Sequence, residues 1–208
     1  MRKIGAIILA AGESSRFGQP KQLLPFRGKT LVRTVIDAAH EAGCSPVAVV
    51  TGSDSEKIRG ELTQANIIEV RNKNWQRGIG SSIRSGVHAL TDRSPDVAAI
   101  LLLVCDQPAV NERVIECLFA TREATKKDIV ASSYADTVGI PALFDRSLFK
   151  DLLELGDECG AKSIILKTPE RVAKFAFPEG AIDVDTWEDW KRLNERSGPE
   201  RSEGSLTS

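Results

Sequence analysis

Every residue from Val97 to Val104 is apolar, and no amphipathic helix or half-wet strand produces such a run. A strand with one solvated face alternates polar and apolar positions. A continuous run of this length therefore implies cover on both faces and a central place in a parallel sheet. Ile4 to Leu9 repeats the pattern, and shorter stretches at Pro46–Val50, Ile67–Val70, Ile129–Tyr134 and Val172–Phe177 read as further strands. Helical stripes fall between them: Val32, Val35, Ile36 and Ala39 within 31–42; Ile83, Val87 and Leu90; Val114, Ile115, Leu118 and Phe119; Leu148, Phe149, Leu152 and Leu153; Trp187, Trp190 and Leu193. Gly43 stands where a helix end favours left-handed geometry, Asn111 stands at an N-cap position, and Ser53 or Asp54 caps a short helix to Leu62. This alternation predicts an α/β chain: three αβα layers around a mostly parallel central sheet.

With 208 residues, 41% of them hydrophobic and 27% charged, the chain can build one sizeable core, so residues 1–195 read as a single domain. From Glu195 onward the sequence is polar with almost no apolar anchor, and 196–208 is expected to be a disordered tail. A net charge of −1 gives no electrostatic footprint for nucleic acid. No apolar run reaches membrane-spanning length, and the first apolar stretch is explained as a strand, so a cytoplasmic location is expected. Cys44, Cys105, Cys117 and Cys159 form no C-x-x-C pair and read as reduced, mostly buried thiols.

In parallel sheets ligands gather beyond the carboxyl ends of the strands. The segments at 10–21, 51–52, 72–82 and 105–108 all follow strands and are expected to share one crevice. The first, I7-I-L-A-A-G-E-S-S-R-F-G-Q-P-K21, sets small residues before two cations. Leu9, Ala10, Ala11 and Gly12 leave the backbone amides open to a base or phosphate, while Arg16 offers a planar fork and Lys21 a mobile point charge. A polar surface turn with two solvated cations is the plainer alternative. Neither G-x-x-x-x-G-K-[ST] nor G-x-G-x-x-G is present in this loop.

Asp106, in L-L-L-V-C-D-Q-P, ends the central run and is either a Mg²⁺ ligand or a turn-starting residue. Asp183 and Asp185, in A-I-D-V-D-T-W-E-D-W, are expected to turn to opposite sides, one completing a metal site; either of them, Asp185 included, is open to capping the last helix. In N72-K-N-W-Q-R-G-I-G-S-S-I-R-S-G-V87, Gly80, Ser81 and Ser82 are expected to offer free amides and hydroxyls to a base or ribose, or else to form an ordinary capped turn.

As a set these segments resemble a known family. The first loop resembles L-A-A-G-x-[SG]-x-R-[FM]-G-x-x-K of the nucleotidyltransferases related to molybdenum cofactor cytidylyltransferase and guanylyltransferase. The third matches N-x-x-W-x-x-G-[MI]-x-S-S-[LI]-x-x-G, and Asp106 and Asp185 fall in D-x-P and D-x-D-T slots. G139-I-P-A-L-F144 and G156-D-E-C-G-A-K-S163 are similar to segments that shape the acceptor side, with Lys162 where relatives often carry Arg. The resemblance covers residues 3 to 193. It implies a Rossmann-like fold of the nucleotide-diphospho-sugar transferase type, with Mg²⁺ on Asp106 and Asp185. Lys21 would act on the α-phosphoryl group and Arg16 on the β- and γ-phosphates; Gly52, in the 51–52 segment beyond its strand, is expected to join the nucleotide-binding loops from its place in the crevice. The implied reaction moves CMP from CTP to molybdenum cofactor, with a molybdoenzyme as a possible recipient. Guanylyl or other nucleotidyl transfer, sugar or polyol phosphate acceptors, and a non-catalytic cofactor-binding chaperone are the alternatives.

Overall fold

The computed structural model describes residues 3–12, 17–63 and 66–196. Among them, strands Ile4–Ala10 (β1), Pro25–Phe26 (β2) and Lys29–Thr30 (β3) precede helix Leu31–Glu41 (α1). Val47–Thr51 (β4), Ser55–Ile58 (α2), Ile67–Arg71 (β5), Ile79–Arg93 (α3) and Ala99–Val104 (β6) follow. The chain continues through Glu112–Thr125 (α4), Ile129–Tyr134 (β7), Thr137–Asp145 (β8), Phe149–Leu153 (α5), Lys162–Lys167 (α6), Val172–Ala176 (β9) and Trp187–Arg196 (α7).

Seven of these strands form one sheet in the order β5-β4-β1-β6-β8-β7-β9, which puts the continuous apolar run at its middle. β1 pairs in parallel with β4 and β6, β4 with β5, and β7 with β9; β8 runs antiparallel to both neighbours. Alternate side chains serve opposite layers. Ala6, Ile8, Leu101 and Leu103 join Val35 and Ile36 of α1 and Ile115 and Leu118 of α4. Ile7, Leu9, Ile100 and Leu102 join Ile83, Val87 and Leu90 of α3, with Leu152 of α5 and Ile164 of α6. Central strands sealed on both faces cannot alternate in polarity, which is why they read as unbroken apolar runs.

β8 is the strand of the seven-stranded sheet that the sequence reading lacks. It contains Gly139 and Pro141, and residues of both kinds weaken a strand pattern. The β7–β8 ladder slips between Ala131 and Ser132, skipping Ile140 and Pro141, and the Ser132 hydroxyl donates to the Pro141 carbonyl at 2.7 Å. A bulge thus absorbs the residue that cannot donate to the ladder.

Asn111 caps α4 through its side chain, which accepts from the Val114 amide at 3.1 Å, and Gly43 closes α1 at φ 83°. At α2 the capping expectation is met in position only, since the Asp54 carboxylate accepts from the Lys57 ammonium and caps no amide. The thiols also depart from expectation: Cys44 and Cys105 are buried, but Cys117 and Cys159 are exposed. Cys117 precedes the inward-facing Leu118 on α4 and so turns to solvent. Burial pushes the Cys44 and Cys105 thiols up to about 12, leaving both un-ionised near neutrality. No helix among the described residues is long and apolar enough to cross a membrane.

Candidate active site

Register aligns the strand ends. Ala10 lies opposite Thr51, Thr51 opposite Arg71, and Leu9 opposite Val104. Ala11, Gly52, Asn72 and Cys105 therefore follow their strands side by side along one edge of the sheet. Gly52 has no room for a side chain, because a Cβ there would sit 2.7 Å from the Ala11 carbonyl oxygen and 3.0 Å from the Trp75 ring. At Gly12, by contrast, a Cβ would meet nothing within 4 Å among the described residues. Leu9, Ala10 and Ala11 are buried. Arg16, assigned to the phosphates by resemblance, lies outside the described residues.

The loop is held from below by a residue the sequence reading passed over. Gln22 is buried, and its side-chain amide donates to the carbonyls of Ala10 at 2.9 Å and Gly12 at 3.2 Å. Buried carbonyls beyond a strand end need such a partner. A short turn at Lys21–Leu23 then fixes Lys21 beside the loop.

Lys21 reaches across the crevice. Its Nζ donates to Asp106 Oδ2 at 2.7 Å, to Asp185 Oδ1 at 3.0 Å and to the Val184 carbonyl at 3.4 Å. Burial disfavours the lysine's charge, but the Asp106 carboxylate and the hydrogen bonds to Asp106 and Asp185 outweigh it, so the ammonium titrates above its ordinary range. Three residues separated by 85 and 164 positions are thus joined at one point.

A C-terminal strap delivers Asp185. Val184 is fully buried with Phe17, Leu24, Phe26 and Leu31, against which Trp187, Trp190 and Leu193 also pack. The Phe17 and Trp187 rings meet edge-on at 5.2 Å, and Trp190 Nε1 donates to the Pro25 carbonyl at 3.0 Å. The Val184 amide donates to the Asp106 carbonyl at 2.9 Å, tying the strap directly to the end of β6.

The expectation that Asp183 and Asp185 turn to opposite sides is corrected. Residues two apart in extended backbone share a side, with the intervening Val184 turned into the core. Burial first, and then the charge of Asp106, with Asp185 adding to it, pushes the Asp183 carboxyl up. Neither aspartate caps the last helix. Thr186 does, its hydroxyl oxygen accepting from the Asp189 amide at 3.2 Å while the Asp189 carboxylate accepts from the Thr186 amide at 2.9 Å. Asp185 therefore carries no capping duty.

On the other side of the crevice, Ser81 and Ser82 are buried at the start of α3 and turned onto Asn72, whose side-chain amide donates to their hydroxyl oxygens at 2.8 and 3.0 Å. The Ser81 hydroxyl in turn faces the carbonyls of Gly78 at 2.8 Å and Asn74 at 3.0 Å. The amides expected to be free are also engaged: Gly80 donates to the Asp157 carbonyl at 2.8 Å and Ser81 to the Gly78 carbonyl at 3.2 Å. Arg84 binds the Leu155 carbonyl and the Asp157 carboxylate, and Arg77 adds a 2.6 Å contact to the same carboxylate. This web fastens the 155–160 segment to the start of α3, a link that neither of the motifs at its two ends announces.

A cavity of about 1060 Å³ opens at the far end of the sheet, lined by Ile4, Ser45, Arg122, Asp128 and Asp145 among others. Its Arg122 and Asp145 pair with each other at 2.5 Å, and it lies away from Lys21.

Residues 6–172 match the family described as the MobA-like NTP transferase domain. Among curated proteins, nicotine blue oxidoreductase of Paenarthrobacter nicotinovorans is 27% identical, over 91% of this chain and 96% of its own length. Among solved structures, Rv0371c of Mycobacterium tuberculosis is similar at TM-score 0.77 and 29% identity, covering 94% of this chain and 99% of that one. A manganese complex of the same mycobacterial protein gives TM-score 0.72 at 29% identity, over 93% and 98% of the two chains. With the family match spanning most of its length, the chain belongs to the MobA-like NTP transferase family.

Proposed function

We propose that this chain is a Mg²⁺-dependent nucleotidyltransferase that moves CMP from CTP onto a phosphorylated acceptor, molybdenum cofactor, and releases pyrophosphate. One observation carries the reading: carboxylate oxygens of Asp106 and Asp185 converge on a single cation at the carboxyl ends of the strands. That donor set suits Mg²⁺, which is commonly held by one or two carboxylates together with substrate phosphates. Among the described residues no group of three or more His, Cys, Asp or Glu could hold a metal by itself, so phosphate oxygens would complete the shell. The manganese complex of the mycobacterial relative supports a divalent ion.

When bound, the ion neutralises charge on the phosphate oxygens. The chain's own residues position the reaction. Ala10, Ala11 and Gly12 let backbone approach the nucleotide, Gln22 holds the carbonyls of Ala10 and Gly12, and Lys21 meets the growing charge on the α-phosphoryl group. An acceptor phosphate is already ionised at neutral pH and needs no general base. Lys21→Ala is expected to lower kcat and kcat/KM together, by about 10²-fold, as for an interaction made in the transition state. A change confined to KM would remove this role.

Pyrophosphate release with CTP or GTP, Mg²⁺ and molybdenum cofactor tests the proposal. CTP is expected to be preferred by roughly ten- to two-hundredfold in kcat/KM, the usual worth of a small pocket difference. The preference rests on Leu9-Ala10-Ala11-Gly12, where guanylyl-transferring relatives read L-A-G-G. Equal values, or a GTP advantage, would move the chain to guanylyl transfer, and release only with a sugar or polyol phosphate would change the acceptor. The similarity to nicotine blue oxidoreductase supplies a second reading, hydride transfer on this fold. The first loop lacks the G-x-G-x-x-G that seats a dinucleotide, which favours nucleotidyl transfer. Oxidation of NADH or NADPH by the chain, without pyrophosphate release from any nucleotide, would favour the second.

A further inference from the structure

We propose that the Lys21 ammonium occupies the metal's seat in the nucleotide-free chain, so that the ion settles between Asp106 and Asp185 only after a nucleotide's phosphates draw the lysine away. The inference rests on the reading of these two carboxylates as metal ligands. Nζ lies 2.7 Å from Asp106 Oδ2 and 3.0 Å from Asp185 Oδ1, and the Val184 carbonyl at 3.4 Å takes a third donor direction. An ammonium has three donors, and each of these oxygens can take one. The lysine side chain is only 12% exposed and plugs the space between the carboxylates.

A Mg²⁺ ion held by the same two oxygens would bring a second positive charge beside Nζ. Like charges side by side repel strongly in a partly desolvated site, so ammonium and ion exclude each other. The backbone of Lys21 has little freedom, because the next residue, Gln22, is clamped onto the first loop. The four-carbon stem is flexible, however, and a phosphate in that loop offers the ammonium anionic oxygens in place of the aspartates. Lysine and metal then trade places. Nucleotide and ion favour each other's binding reciprocally, and the ion alone binds weakly.

The test measures binding of Mn²⁺ alone, without nucleotide, by the electron paramagnetic resonance signal of the free ion. Wild type is compared with Lys21→Met and Lys21→Gln, each checked for cooperative melting. Gln keeps polar donors toward both aspartates and preserves the test if the Met variant does not fold. Both variants are expected to bind Mn²⁺ about five- to hundredfold more tightly than wild type, a usual range for coupled sites. Adding Asp106→Asn to either should abolish that gain. Equal or weaker Mn²⁺ affinity in the variants overturns the exchange. If wild-type binding is nevertheless lost on Asp106→Asn, the metal-site reading survives. Failure of every one of these chains to bind Mn²⁺ brings down the metal-site reading and the exchange with it.

Discussion

Asp106→Ala is expected to reduce pyrophosphate release about 10²- to 10³-fold while the protein still folds. Asp106 follows the innermost strand, and its side chain retains 23% exposure, so its removal opens no cavity in either main layer. The variant leaves Lys21 with Asp185 and the Val184 carbonyl as partners. The cost of one lost charged hydrogen bond should be about 1–3 kcal/mol, a fraction of the stability of a domain this size. Activity and stability therefore separate in this variant, and measuring both is informative. Pyrophosphate release at the wild-type rate would sink the assignment of Asp106, whereas loss of the cooperative melt would show that the Lys21 pair is structural first.

Gly80→Ala is expected to destabilise the fold by about 3 kcal/mol, because the new methyl has nowhere to go. Its Cβ would stand 2.0 Å from the Gly156 carbonyl oxygen, 2.9 Å from that of Cys159 and 3.0 Å from that of Asp157. All three obstacles are backbone, so no rotamer change relieves them. The 155–160 segment must lift from α3 and lose the Gly80–Asp157 hydrogen bond. For about 200 residues such a loss lowers the melting midpoint by roughly 6–12 °C. Gly12→Ala is the control, since its added Cβ meets nothing within 4 Å among the described residues. Equal melting of the two variants would mean that the 155–160 segment is not fastened as described.

The sheet was readable because its central strands have no wet face, and the runs at 4–9 and 97–104 announced their positions. β8 was not readable: Gly139 and Pro141 disguise a strand that survives only through a bulge against β7. The six-residue α6 buries little beyond Ile164 and Ile165, too short a stripe for helical periodicity to appear. Around the site, Lys21 stood out in the first loop, while the family resemblance chose the metal reading of Asp106 and preferred Asp185 to Asp183; the fold places these three side chains in contact. What spacing could not convey was the supporting web. Gln22 looks like any polar residue in K-Q-L-L-P, and only the closed fold shows that it holds the Ala10 and Gly12 carbonyls. The roles of Asn72, although it opens a quoted motif, and of Arg84 are hidden for the same reason, since their partners lie 9 and 71 residues away. The T-W-E-D motif did contain the Thr186 cap, but two aspartates beside it competed for the role.

The strap at 182–196 gives the chain an order of events. Both large clusters that bracket the sheet are assembled from residues up to Phe177, so the framework needs nothing from the last helix. Asp185 arrives only when Val184 and Trp187 dock on the segment near Phe17 and Leu24. The sheet can thus stand complete before Asp185 reaches Lys21 and Asp106, so the proposed metal seat depends on the docking of the strap.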